Sequence, residues 1–373
     1  MKKKYVVFTF LLLLLATLCI VNEWSTYLEE VIILPEKSVN SFNRFTLKSI
    51  LLWNDLFNKD NWGFPRSTNY DFKELGCRVQ NCFITTNREL TLDADAVIFH
   101  ISGKLNSRPK LKPANQRWVF LMHEAPCLHN FESLRKWNSL FNWTMTYRLD
   151  SDIPIPYVHT CKKRNSKVNL LKKDIMGKKK KLAAWMVSNC NSQSQRNQYM
   201  NELLKYMPVD IFGKCSALFG QNNTCEKNEE ESCMDMVSNQ YKFYFSFENS
   251  FSVDYATEKF IKILNTNAVP VVRGDANYTV LGPPNSFIDT RKFKSAKHLA
   301  EYLFRLDQNE LEYLEFLKWK EDYESHDCGP GDIVQKRFCD LCEKLNSPQP
   351  VKSVYTNIYD WYYRCREPDD INV

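Results

Sequence analysis

The sequence predicts an α/β protein built on parallel sheets. Three observations support this. The second half alternates apolar runs of strand length with amphipathic stretches of helical period. The first half carries two short, fully apolar runs bounded by polar segments, as strands buried on both faces do. With 373 residues, 44% of them hydrophobic and 25% charged, the chain is long enough for two packed domains. That composition excludes a wholly disordered chain, a collagen and a multi-span channel. A net charge of +6 is too small to suggest a nucleic-acid binder of this size.

From the N-terminus, Lys2–Lys4 form a cytoplasmic tail over residues 1–4. The uncharged run Tyr5–Val21 follows, about 17 residues and near the lower length for a membrane span. The basic flank before it and Glu23, Glu29 and Glu30 after it place the rest of the chain outside the cytosol. An uncleaved signal-anchor is expected, because no small-residue cleavage site follows. So short a span suits a thin early-secretory membrane. Of thirteen cysteines, Cys19 lies in the run and twelve follow it, an even number that suits oxidised pairs. Asn142, Asn222 and Asn277 each open an N-glycosylation triplet.

Residues 22–45 read as an irregular stem, with globular structure starting near Thr46. Strands are expected at Ala96–His100, Trp118–Met122 and Thr144–Arg148, with a short helix over Phe131–Phe141. Ile153–Tyr157 ends this regularity. The lysines at 172, 173 and 178–181 read as a solvated linker, so the domains are placed at 46–177 and 178–350, with 351–373 a tail packing back on the body. In the second domain, strands are expected at Leu182–Ser188, Val209–Phe212, Tyr241–Phe247 and Ala268–Val272. Ser192 is the expected cap of a helix over 193–206, and Asp254 of one ending at Leu264. Ala296–Leu306 and Glu310–Tyr323 read as helices.

Chemistry is expected at strand ends, where ligands bind in such folds. Arg196 opens a helix just after Ser188 and Asn189, where a guanidinium and free helix amides suit a phosphate. Read from that helix alone, an exposed surface arginine is the preferred reading. Glu248, Asn249 and Ser250 leave a strand, and Tyr255, Glu258 and Lys259 open the next helix. A carboxylate, an amide, a hydroxyl, an aromatic ring and an ammonium together suit a nucleotide sugar. The plainer reading is a cap plus a Glu258–Lys262 pair. Glu124 follows an apolar strand and suits a general base. His123 reads either as its assistant or as a structural histidine. Asp150, Ser151 and Asp152 read as a metal-binding acidic triplet or as a turn; no catalytic metal is expected. Cys339 and Cys342 read as disulfide partners of Cys77 and Cys82, with Cys365 pinning the tail.

The string Tyr241–Ser250, continued by Asp254–Lys259 and Ala268–Gly274, resembles the α1,3-fucosyltransferase family of animals, plants and some bacteria. Arg117–Pro126, Asn142–Tyr157, Trp185–Arg196, Val209–Cys215 and the stretch from Asn277 to Phe287 extend the resemblance over nearly the whole chain beyond the stem. The resemblance implies a GT-B fold, two Rossmann-like domains facing a cleft. It implies GDP-β-L-fucose as donor, an inverting transfer to a GlcNAc hydroxyl, no required cofactor, and a Golgi type II setting. By similarity Glu124 is the base, Arg196 and Lys259 meet the donor phosphates, and Glu248, Asn249, Tyr255 and Glu258 help place guanosine or fucose. Ser188, Asn189 and Ser250 line the same donor site. His123 to Pro126 departs from the familiar vertebrate pattern around the glutamate. Acceptors of N-acetyllactosamine type are expected, with the chitobiose core of N-glycans as the alternative. A glycan-binding homologue without turnover and another inverting GT-B enzyme using a different nucleotide sugar are the remaining readings.

Overall fold

The structure is a computed structural model and describes residues 31–35, 47–56, 62, 70–73, 76–101, 107–128, 131–163, 175–225, 230–325, 333–348 and 354–371. The proposed tail, anchor and most of the stem lie outside the described residues. Among the described residues no helix is long and apolar enough to cross a membrane. The chain divides into two compact units. One holds the described residues up to Tyr70 with Asn81–Trp118; the other holds Asp71–Gln80 and the residues from Val119 onward.

In the first unit, strand Lys48–Leu52 pairs in parallel with Cys82–Thr85 and with Ala96–His100. All five residues of Ala96–His100 are buried, as expected for an apolar run in a parallel sheet. Asp95 anchors the neighbouring strand by accepting from Lys48 Nζ at 2.7 Å and from the Ser49 amide at 2.9 Å. Buried His100 is structural: its Nδ1 lies 3.0 Å from the Asp55 carbonyl. Part of the expected irregular stem is ordered here. Ile32–Leu34 is a strand, parallel to Leu111–Pro113, because backbone pairing suffices without a hydrophobic face.

In the second unit, strand Arg117–Met122 pairs from Val119 onward with Trp143–Thr146, which pairs with Ile153–Pro154. The expected helix over 131–141 is a 3-10 turn, Glu132–Trp137. A five-stranded parallel sheet follows. Its spatial order is Asp210–Phe212, Lys181–Met186, Tyr241–Phe247, Val269–Arg273, Ile288–Asp289. In chain order this is second, first, third, fourth, fifth. Phe243, Phe245 and Phe247 share a core with Tyr199, Leu203, Leu299 and Leu303 from helices Arg196–Leu203 and Ala296–Gln308. On the other side Tyr244 packs with Val237 of helix Glu230–Gln240 and Ile263 of helix Glu258–Leu264. Helices therefore cover both faces, the doubly wound arrangement. The expected helix 310–323 is broken into Glu310–Glu315 and a 3-10 turn, Lys318–Glu321.

Two expected caps are absent. Helix Arg196–Leu203 starts after Gln195 in the left-handed conformation (φ 50°), and Ser192 instead bonds Ser194 through its hydroxyl. Helix Glu258–Leu264 starts after Thr257, and Asp254 instead accepts the Leu149 amide at 3.1 Å. Cysteines behave as expected. Cys77–Cys339 and Cys127–Cys365 are disulfides, as are Cys190–Cys215 and Cys225–Cys233. Cys82, Cys161 and Cys342 are also disulfide-bonded. Of the glycosylation triplets, Asn222 and Asn277 are exposed and Asn142 is buried.

The lysine run is not simply solvated. Lys178, Lys180 and Lys181 are exposed, but Lys179 is buried and donates to the carbonyls of Ser238 and Tyr241, both at 2.6 Å. Burial, aided by the Lys320 charge, pulls its pKa down to about 7. Between about pH 7 and the unfolded lysine value of about 10.4, the native state binds fewer protons than the unfolded state, so this group's contribution to stability rises with pH. Below pH 7 the full cost of the buried charge remains. We expect the thermal midpoint of wild type to gain on that of Lys179→Met between pH 6.5 and 9. A pH-independent difference between the two would contradict this assignment.

Candidate active site

The strand order fixes where a ligand site belongs. Lys181–Met186 and Tyr241–Phe247 are neighbours, and their crossovers leave in opposite directions. This opens a crevice beyond their carboxyl ends. Ser188 and Asn189 follow the first strand, and Glu248, Asn249 and Ser250 follow the other. The expected donor residues therefore lie at the switch point.

Ser194 stitches the two strand ends together. Its amide donates to the Asn249 carbonyl (3.1 Å) and its hydroxyl to the Glu248 carbonyl (2.6 Å). Arg196 is a second stitch, and here the reading of an exposed surface arginine is corrected. Its side chain is buried and donates to the Phe247 carbonyl (2.9 Å) and the Asn189 carbonyl (3.1 Å). The guanidinium thereby supplies a donor to the last carbonyl of strand Tyr241–Phe247 and to one past the end of Lys181–Met186. Burial pulls its pKa down, against the pull of Glu248. Its Nε is buried with no partner, as are Asn249 Oδ1 and Ser250 Oγ. Buried polar atoms are rarely left so, and a bound ligand is one way to satisfy them. Ser188 and Asn189 are exposed, and Asn189 Oδ1 accepts the Asn191 amide at 3.3 Å. Gly213, at φ 91°, passes close behind Ser188; a Cβ there would lie 2.7 Å from the Val187 carbonyl oxygen.

Glu248 is fully buried and braces the loop that follows it. Oε1 accepts the Thr257 amide (2.7 Å), Oε2 the Thr257 hydroxyl (2.9 Å), and Lys259 Nζ lies 3.1 Å from Oε2. Burial pushes the Glu248 pKa up, while Lys259 opposes the shift. Lys259 Nζ also donates to Thr257 Oγ1 (2.6 Å) and lies 3.2 Å from Glu258 Oε1. Burial alone would lower its pKa, but Glu248 and Glu258 outweigh burial and raise it. The ammonium is thus held charged, with a quarter of its side chain exposed. Glu258 is the more exposed of the two carboxylates.

Glu124 is brought to this loop. Tyr255 donates its phenol proton to Glu124 Oε2 at 3.0 Å across 131 residues of sequence. Burial holds the Tyr255 pKa well above its ordinary value, and Tyr157 and Glu124 add to the shift, so the phenol stays a donor. Tyr147 and Tyr157 surround the Tyr255 ring at centroid distances of 5.0 and 6.3 Å. The Glu124 main chain is held by the Tyr362 hydroxyl and, three residues on, by Cys127–Cys365. His123 is a structural histidine: its Nε2 lies 2.8 Å from the Ile155 carbonyl, its own carbonyl accepts from Tyr157, and its ring packs on Tyr157. Asp150 and Asp152 form a turn. Asp150 pairs with Arg148, while Asp152 accepts the Thr144 amide and the Tyr355 hydroxyl.

Several contributors were not legible in the sequence. Tyr147, Tyr157 and Tyr362 read there as ordinary aromatics. Arg273 appeared only within an apolar string. Each acts through a partner dozens to hundreds of residues away, and no local spacing signals such a contact.

Two family descriptions match the chain: "Fucosyltransferase, N-terminal" over residues 46–158 and "Glycosyltransferase family 10 (fucosyltransferase) C-term" over residues 176–361. The chain is similar to glycoprotein 3-alpha-L-fucosyltransferase A of Drosophila melanogaster, 34% identical over 85% of this chain and 60% of that protein. It therefore spans less than two thirds of the length of that relative. It is also similar to alpha-(1,3)-fucosyltransferase C of the same species, 30% identical over 86% of this chain and 79% of that protein. A third relative is 3-galactosyl-N-acetylglucosaminide 4-alpha-L-fucosyltransferase FUT3 of Bos taurus, 35% identical over 78% of this chain and 76% of that protein.

Proposed function

The chain belongs to glycosyltransferase family 10, the fucosyltransferases, and on that premise we propose that it transfers L-fucose from GDP-β-L-fucose to a GlcNAc hydroxyl in α1,3 linkage, with inversion. Membership brings a GT-B-like fold with two sheet-containing domains. The observation that carries the catalytic reading is the Glu124–Tyr255 hydrogen bond, because it ties a carboxylate to the loop that leads into the helix bearing Lys259.

In this reading the donor diphosphate occupies the crevice beyond Lys181–Met186 and Tyr241–Phe247. Lys259 and the unpartnered Arg196 Nε–H face the charge that develops on departing GDP. Glu258 exchanges its hold on Lys259 for a sugar hydroxyl, while Glu248 keeps the ammonium in place. Asn249 and Ser250 supply the buried acceptor atoms that await a donor. Tyr255 donates to one oxygen of Glu124, leaving the other to take the proton from the attacking hydroxyl as fucose C1 is substituted.

N-acetyllactosamine-type antennae are the proposed acceptors. The chitobiose core of N-glycans is the second reading, supported by likeness to a relative whose name specifies a glycoprotein acceptor. The basic tail and the apolar run Tyr5–Val21 support a type II Golgi membrane protein with its body in the lumen, a compartment that also suits its oxidised cysteines.

Glu124→Gln is expected to lower the transfer rate roughly 10²–10⁴-fold while GDP affinity, read by calorimetry, is retained. A variant within a few-fold of wild type would remove Glu124 as the base. Product linkage analysis after incubation with GDP-fucose and a panel of antennary and core glycans tests the activity itself. Absence of fucose transfer to every member, or preference for a different nucleotide sugar, would overturn the proposal.

A further inference from the structure

The loop Glu248–Thr257 is held from outside by the C-terminal segment. Arg364 accepts the Val253 amide (3.2 Å) and the Arg366 amide donates to the Phe251 carbonyl (3.0 Å). The segment's innermost contact is electrostatic. Arg273 ends strand Val269–Arg273 with its side chain fully buried, and Asp370 receives both Nε (2.7 Å) and Nη2 (2.6 Å). The remaining nitrogen, Nη1, donates to the Ser194 carbonyl at 2.8 Å. The guanidinium also lies 4.8 Å from the ring centroids of Tyr199 and Phe251.

We propose that Asp370 is a positioning residue for the donor site, acting through Arg273 on the Ser194 turn that stitches the two strand ends. A bidentate pair fixes the guanidinium in one plane. That plane aims Nη1 at the Ser194 carbonyl, and Ser194 in turn holds Glu248 and Asn249. Loss of the carboxylate leaves a buried charge without its partner, and the guanidinium must turn or recruit water. The crevice loses its shape although no donor-contacting group has changed. This rests on the reading of the crevice as the GDP-fucose site.

The test compares the full chain with Asp370→Asn, Asp370→Glu and the Arg273→Met/Asp370→Leu double variant. Donor KM, kcat, GDP affinity by calorimetry and the thermal midpoint are measured for each. We expect Asp370→Asn to raise donor KM and GDP Kd roughly 10-fold with kcat within about 3-fold. Asp370→Glu should restore most of that affinity. Should Asp370→Asn not fold, the double variant decides, since replacing both partners with apolar groups spares the buried charge. Weakened GDP binding there supports the proposal. Wild-type KM and Kd in a folded variant, even with a lowered midpoint, would overturn it and leave Asp370 a stability residue. If the parent chain itself neither binds GDP nor transfers fucose, the reading of the crevice falls and the proposal with it.

Discussion

One hydrogen bond organises the site: the Tyr255 phenol on the Glu124 carboxylate. The loop that carries Tyr255 starts at buried Glu248, and Glu258 opens the helix that follows it. Lys259 offsets those charges, and a neutral phenol meets Glu124 without adding another. Burial keeps that phenol protonated, so the contact is a directed donor to a charged acceptor, among the stronger hydrogen bonds a protein makes. Tyr147, Tyr157 and Tyr362 wall off the contact with further phenols. The Glu124 carboxylate is thereby oriented by a neutral donor.

Covalent and electrostatic links then hold the two halves of this geometry together. Cys127–Cys365 joins the segment after Glu124 to the C-terminal segment across 238 residues. In the chain-entropy picture, closing so long a loop constrains the unfolded state by about 5.5 kcal/mol. The same C-terminal segment contacts the donor loop through Val253 and Phe251 and reaches Arg273 through Asp370. One tether therefore registers Glu124 and the loop Glu248–Thr257 against each other. Scarce glycine is consistent with this design: the crevice is shaped by cross-links between strand ends and not by a glycine-rich phosphate loop.

Local signals in the sequence carried the architecture well where period and burial agree. Tyr241–Phe247 is a strand with the expected ends, because its aromatic alternation fits a sheet covered on both faces. Ala96–His100 is likewise a strand with the expected ends, and the helical reading of Ala296–Leu306 is met by helix Ala296–Gln308. Caps were less legible. Ser192 and Asp254 have the right chemistry for caps, but tertiary partners recruited Ser192 to Ser194 and Asp254 to Leu149. Lys179 reads as solvated in a lysine run and is buried, its ammonium met by a carbonyl from helix Glu230–Gln240 and one from the first residue of strand Tyr241–Phe247. At the site, residue types pointed to the crevice, while the roles of individual side chains depended on contacts that spacing does not encode. Arg196 and Glu248 look like ligand groups and serve first as braces. Tyr255 looks like a ring for the donor and holds the Glu124 carboxylate.

The most direct measurement of this account is a double-mutant cycle on kcat/KM for fucose transfer, using Glu124→Gln, Tyr255→Phe and the two combined. If the phenol acts by orienting the carboxylate, the effects are strongly non-additive: Tyr255→Phe costs activity in wild type and almost nothing once Glu124 is replaced. Independent, additive losses would contradict the claim that the two side chains work as one unit.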